Sequence, residues 1–166
     1  FKQCPHKFYR TRISKDVHEE SQPHLTYGKA VHKAAEAFGR DSKPIPREYG
    51  FIEPYVQSLL DVDGEKYFEL ELARTTELIP CGFKDKGAWW RGIADFVAVD
   101  DKTALLVDYK TGKSTRYADT KQLEILSLAL FKHFPEVNVV KGGLLFLVAQ
   151  ELLQETFYRE REEEYW

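Results

Sequence analysis

Cysteine is scarce. Cys4 and Cys81 are the only two in 166 residues, too few for the disulfide framework that small secreted scaffolds rely on. One structural bridge remains open, but two reduced thiols in a cytoplasmic protein are the expectation. No Cys-x-x-Cys spacing exists, which removes the usual zinc site. Long apolar runs are missing as well: none approaches the roughly 20 residues of a membrane span, and no signal peptide opens the chain. A basic surplus is also absent. The formal net charge is -3, whereas nucleic-acid-binding domains usually carry an excess of lysine and arginine. No internal repeat or low-complexity segment is visible. The chain opens at Phe1 and stops after "EREEEYW", so it is expected to be trimmed or a piece of a longer polypeptide.

What is present is a globular composition, 43% hydrophobic and 14% aromatic, in a length that suits one domain over residues 1–166. The segment "CPHKFYRTR" fits a short helix with Pro5 in its first turn. "HLTYGKAVHKAAEAF" is a helix, with Tyr27, Ala30, Val31, Ala34, Ala35 and Phe38 at helical spacing. "REYGFIEPYVQSLLDV" is helical with an interruption at Pro54. "KYFELELAR" alternates, with Phe68, Leu70 and Leu72 on one face and Glu69 and Glu71 on the other. "IADFVAV" and "TALLVDY" are strands, "DTKQLEILSLALFKHF" is a helix with Asp119 as a cap, and "VVKGGLLFLVAQ" and "LLQETFYR" are strands. Helices, a run of hairpin-joined strands, a helix and two more strands make an α/β domain, a central mixed β-sheet flanked by helices.

Three charges stand out against this pattern. Asp95 lies inside one apolar strand, and Asp108 and Lys110 end the next. A buried charge without a partner costs several kcal/mol or shifts its pKa. If the hairpin turn is Asp101-Lys102, Asp95 falls opposite Asp108, where Cβ atoms are about 4.5–5.5 Å apart. Facing carboxylates destabilise a hairpin unless a divalent cation lies between them, and oxygen ligands suit magnesium, manganese or calcium. Lys110, two residues beyond Asp108, shares its face. There it can orient an attacking water and neutralise charge developing on a phosphate. A plain surface Asp–Lys pair is the alternative reading. Basic residues gather in two places, around Arg10 and Arg12 and around Lys113, Arg116 and Lys121, where they can track a phosphate backbone. Trp89 and Trp90 precede the Asp95 strand. They either pack across strands or stack unpaired bases.

The stretch "RGIADFVAVDDKTALLVDYKTGK" resembles the core of the PD-(D/E)XK nuclease superfamily, in particular the branch with the RecB and AddB nuclease domains and CRISPR-associated RecB-like exonucleases. Gly92, Asp95, Asp108, Lys110, Thr111 and Gly112 fill that branch's glycine–hydrophobic–aspartate strand and its Asp-x-Lys-Thr-Gly. "FKQCPHKFYRTRI", "YGKAVHKAAEAF" and "DTKQLEILSLALF" resemble the opening segment, the Gly-x-x-x-His helix and the glutamine helix. The resemblance implies a restriction-endonuclease-like core and a Mg2+- or Mn2+-dependent deoxyribonuclease. It also implies a metal held by His32, Asp95, Asp108 and the Tyr109 backbone carbonyl, with Gly28 leaving room one turn before His32. Lys110 would position the water, and Gln122 would contact DNA or the lysine. Glu71 is the choice for an auxiliary glutamate, and Glu36 either supports His32 or is a surface residue.

The sequence departs from the branch in two ways. The glutamine helix there commonly carries a tyrosine where this chain has Leu126, for which Tyr109 or Tyr117 is a substitute. Some relatives hold an iron–sulfur cluster on one early and three late cysteines. Cys4 matches the early place, but no cysteine follows Cys81, so the chain holds no complete cluster. The resemblance further implies an exonuclease acting on single-stranded DNA ends in recombination, repair or phage DNA processing. A helicase or annealing partner, no membrane, and the cytoplasm of a bacterial, archaeal or phage-infected cell go with it. The alternatives are a catalytically inactive nucleic-acid-binding module of a larger repair complex and a small-molecule phosphoesterase.

Overall fold

A computed structural model describes residues 6, 9–14, 16, 23–116 and 118–165, without the side chains of 11–12 and 23–25. Its contacts divide the chain into two compact units, residues 1–30 and 31–166. In the first, Tyr9–Ile13 form one π-helical turn. It is closed by Ser14, whose hydroxyl donates to Asp16 at 2.7 Å, and by Arg10, whose Nε donates to the same carboxylate at 3.1 Å. The rest of the expected opening helix, Cys4 with it, lies outside the described residues. Helix α1, Pro23–Asp41, begins in this unit and continues into the second.

The second unit is built on a five-stranded sheet in sequence order: β1 Glu65–Arg74, β2 Trp90–Asp100, β3 Thr103–Lys110, β4 Val139–Phe146 and β5 Glu151–Tyr158. A 3-10 turn, Arg47–Ile52, leads into helix α2, Glu53–Leu60, with Pro54 in its first turn where a missing N–H costs nothing. Helix α3, Lys121–His133, connects β3 to β4, and that connection makes these two strands parallel while every other neighbouring pair is antiparallel. The β2–β3 turn is Asp101-Lys102, with Asp101 in the left-handed region at φ 48°, and pairing runs from Asp100↔Thr103 to Phe96↔Val107. This is the mixed sheet between helices expected of the sequence.

Each face of the sheet carries its own core. On one side the stripe Leu123, Leu126 and Leu130 of α3 packs with Leu72, Ala94, Leu106, Val140, Leu144 and Phe157. On the other, Val31, Ala34 and Ala35 of α1 and Val56 of α2 pack with Phe96, Ala98, Val107, Tyr109 and Leu145. Each buried leucine, valine or phenylalanine among them contributes about 1.5–3 kcal/mol relative to exposure. Arg74 is buried at 2% exposure and donates from Nη2 to the Leu128 carbonyl, tying β1 to α3. Arg159 caps the far end of α3 by donating to the Phe134 carbonyl at 2.9 Å. Among the described residues no helix is long and apolar enough to cross a membrane.

One expectation fails, and the failure matters for the site. Phe68, Leu70 and Leu72 were expected to share a face, but Phe68 joins the α1-side core while Leu70 and Leu72 join the α3 side. The switch falls at Glu69, which has φ 51°. A side chain with a Cβ rarely adopts that conformation. Its neighbour across the ladder, Asp95, is the matching break in β2: Ala94 faces α3 and Phe96 faces α1. Pairing skips both residues and resumes in the same register, Phe68↔Phe96 on one side and Leu70↔Ala94 on the other. Both strands therefore spend one unpaired residue at the same point, a symmetrical relative of a β-bulge.

The register of β1 depends on its entry at Gly64, whose φ is +100° and where a Cβ would lie 2.4 Å from the Val99 carbonyl oxygen. Gly64→Ala should therefore destabilise the fold by about 1–3 kcal/mol, combining backbone strain with a clash against main chain. That corresponds to a Tm lower by roughly 3–10 °C, readable in a thermal melt followed by circular dichroism.

Candidate active site

The double break places Glu69 and Asp95 on the side of the sheet covered by α1, where His32 projects from the helix. His32 Nδ1 lies 3.3 Å from Asp95 Oδ1. Its ring meets Tyr109 edge-on, with centroids 5.9 Å apart. The other oxygen of Asp95 accepts the Tyr109 backbone N–H at 2.7 Å. One ligand atom from each of His32, Glu69 and Asp95 falls within a common sphere, all within 4.8 Å of one another. An imidazole nitrogen with carboxylate oxygens is a donor set for a divalent cation.

Asp108 and Lys110 occupy the adjoining strand. The β2–β3 ladder stops at Phe96↔Val107, one pair short of Asp95 and Asp108. Alternation along β3, with Leu106 in the α3-side core and Val107 and Tyr109 in the other, puts Asp108 and Lys110 toward α3. There Asp108, only 4% exposed, ion-pairs with Lys110 Nζ at 2.6 Å. Gln122 from the first turn of α3 bridges the two: its amide nitrogen donates to Asp108 Oδ1, and its oxygen accepts from Lys110 Nζ at 2.8 Å. The expected contact between Gln122 and the lysine is thus present in the geometry, and a bond to Asp108 accompanies it.

The electrostatics follow from crowding. Burial raises the pKa of Asp108, the Asp95 charge raises it further, and Lys110 and His32 work the other way. Burial likewise raises that of Glu69, with Asp95 and Glu36 adding to it. Burial opposes a charge on His32, but its hydrogen bond to Asp95 and the nearby carboxylates outweigh burial and raise its pKa. Tyr109, buried with its hydroxyl making no hydrogen bond among the described residues, is pushed well above the usual phenol range by burial and then by Asp95 and Glu69. Three carboxylates against His32 and Lys110 leave a deficit of positive charge, and a divalent cation fits that deficit.

Other residues singled out from the sequence take different places. Glu71 is exposed, opposite Ile93, and outside the donor group; Glu69, one strand step earlier, occupies it instead. The sequence carried no sign of this, because alternation put the two glutamates on one face. Glu36 ion-pairs with Arg40 one turn along α1. Lys113, Arg116 and Lys121 are exposed around the β3–α3 connection, where Asp119 Oδ1 accepts the Lys121 N–H at 3.0 Å. Gly28 belongs to the first unit, as does Arg10, which is paired with Asp16. The side chain of Arg12 and residue Tyr117 lie outside what is described. Leu126 is a core residue, 2% exposed. Gly92 faces it: a Cβ there would stand 3.1 Å from Leu126 and 2.4 Å from the Trp90 ring. The glycine of the motif therefore makes room for α3 and an indole.

A family model of the PD-(D/E)XK nuclease superfamily matches residues 1–165. The chain belongs to that superfamily, and its five-stranded mixed sheet between helices is the restriction-endonuclease-like α/β core. None of the curated proteins matches. Among solved structures, SSO0001 is similar over 95% of this chain and 79% of that one, at 14% identity and a TM-score of 0.40.

The raised pKa values have one sign. The folded state binds protons at Glu69, Asp108 and His32 more tightly than the unfolded chain does, so without metal each group's contribution to stability is complete only below its ordinary value. That contribution is lost as the pH rises through the raised values, above the ordinary 3.8 and 4.5 of the carboxyls and 6.5 of the imidazole. A cation competes with those protons. Mn2+ should therefore raise Tm more at pH 8 than at pH 6, by several degrees at saturation. Glu69→Gln should raise the metal-free Tm slightly and shrink the Mn2+ shift, which calorimetric melts with Mn2+ and with EDTA will show.

Proposed function

We propose that the chain is a Mg2+- or Mn2+-dependent deoxyribonuclease of the RecB-like kind, acting on DNA with single-stranded ends. The observation that carries this reading is the convergence of His32, Glu69 and Asp95 next to an Asp108–Lys110–Gln122 network. A structural ion pair does not require three crowded carboxylates at a strained break in two strands.

His32, Glu69 and Asp95 would hold the cation, with Asp108 and the Tyr109 carbonyl alongside. When bound, the cation supplies Lewis acidity at the scissile phosphate and lowers the pKa of an attacking water. The chain's own residues divide the remaining work. Lys110 orients the water and offsets charge that develops on the phosphate oxygens. Gln122 and Asp108 fix the Lys110 ammonium between two acceptors, so its direction is set before substrate arrives. Asp95 joins the pieces, accepting from the Tyr109 N–H with one oxygen and facing His32 with the other. Lys113, Arg116 and Lys121, exposed around the β3–α3 connection, would meet phosphates beyond the cleaved bond. An exonuclease serving recombination, repair or phage DNA processing, beside a helicase or annealing partner, is the finer form of this reading.

DNA labelled separately at each end, incubated with Mg2+, Mn2+ or EDTA, tests activity and polarity together. Cleavage should require metal. Lys110→Ala should lower kcat by about 10²–10³, the usual effect of removing one preorganised donor, and Asp108→Ala should abolish turnover. Binding without cleavage in any metal would favour the inactive nucleic-acid-binding module instead.

A further inference from the structure

The two neighbouring tryptophans have opposite fates. Trp90 folds over Gly92 and packs against the α3-side core. Trp89 is 63% exposed. Trp90, Gly92 and Ala94 share the α3 side, so strand alternation sends Arg91, Ile93 and Asp95 to the opposite face. Ile93 is 41% exposed, beside the exposed Glu71. The carboxylate group is thus followed outward along β2 by the exposed Ile93, and the exposed Trp89 stands immediately before the strand begins.

The support under Trp89 is rigid. Its backbone N–H donates to the Arg74 carbonyl at 2.8 Å. Arg91 fastens the preceding turn by donating to the Phe83 carbonyl at 2.6 Å and the Asp85 carbonyl at 2.9 Å, and Asp85 accepts the Gly82 N–H at 2.7 Å. Lys84 and Lys86 are exposed on that turn. An exposed indole on a fixed base, with lysines beside it, offers a flat stacking surface and a positive charge together. That pairing suits unpaired bases joined by phosphates. It does not suit a duplex, whose base faces are stacked away.

We infer that Trp89, with Ile93 between it and the metal group, is the stacking platform for a single strand whose end lies at Asp95. The inference rests on reading the site as a phosphodiester hydrolase, and it adds the residue that holds the unpaired strand. Trp89 is a binding residue, separated from Asp95 by roughly 20 Å of strand at 3.3–3.4 Å per residue.

The test uses the full chain in a Lys110→Ala background with Mn2+, so that DNA stays intact. Oligo(dT) of roughly 12 nucleotides, within the site sizes of single-strand binders, should quench indole fluorescence. Trp89→Ala should weaken its binding about 5–150-fold, the equivalent of the usual worth of one base–aromatic stack, while Trp89→Phe recovers most of the loss. Abasic oligomers should bind both proteins alike. Equal affinity of Trp89→Ala and its parent for oligo(dT), or abasic DNA held as tightly as oligo(dT), would overturn the platform. Cleavage of the same oligomer by the unmodified protein is scored separately. In the unmodified protein Trp89→Ala should raise KM more than it lowers kcat. Failure to cleave with stacking intact would remove the hydrolase and leave the platform.

Discussion

Repulsion among carboxylates is the constraint around which this molecule is arranged. Glu69, Asp95 and Asp108 sit in three adjacent strands, in a sheet whose inward positions are filled mainly by valine, leucine, alanine and phenylalanine. Each negative charge raises the cost of the next, and burial raises it again. The fold tolerates this because two of the three carboxylates have partners of their own: Asp95 has the Tyr109 N–H and His32, and Asp108 has Lys110 and Gln122. Glu69 has the least compensation, and it is also the residue with the strained backbone. Unfavourable terms collected at one point indicate a place selected for chemistry, at the expense of stability.

The architecture distributes the site over both faces of the sheet. His32, Glu69 and Asp95 belong to the side covered by α1, while Gln122, Asp108 and Lys110 belong to the side covered by α3. Asp95 and the Tyr109 amide cross between them at the point where the β2–β3 ladder stops. No single supersecondary unit contains the site. β1, β2, β3 and both helices must be in place before all of these charges meet.

What was legible in the sequence depended on how far apart the interacting residues lie. The β2–β3 hairpin has a two-residue turn, so its register follows from counting, and the count holds from Asp100↔Thr103 to Phe96↔Val107; it fails at Asp95 and Asp108, which were expected to face each other but which the ladder leaves unpaired. Lys110 and Gln122 were found by motif, twelve positions apart and joined by one helix start. Glu69 was missed because β1 and β2 are joined by a long connection, residues 75–89, that leaves the register open. A left-handed backbone at a glutamate has no compositional mark, unlike one at glycine or asparagine. Alternation therefore favoured Glu71. The fates of Trp89 and Trp90 were undecidable for a similar reason: which of two adjacent indoles turns inward depends on the parity of the strand against α3.

Gln122 carries a consequence of its own. A side-chain amide is two-ended, offering a hydrogen to one neighbour and a lone pair to the other, and here it spends the first on a carboxylate and the second on an ammonium. Glutamate at that position would suit the ammonium and antagonise the carboxylate; lysine would do the reverse. Only a neutral group with both polarities serves the acid and the base at once, so exchange for either charged residue of similar length should be tolerated less well than its modest difference in size implies.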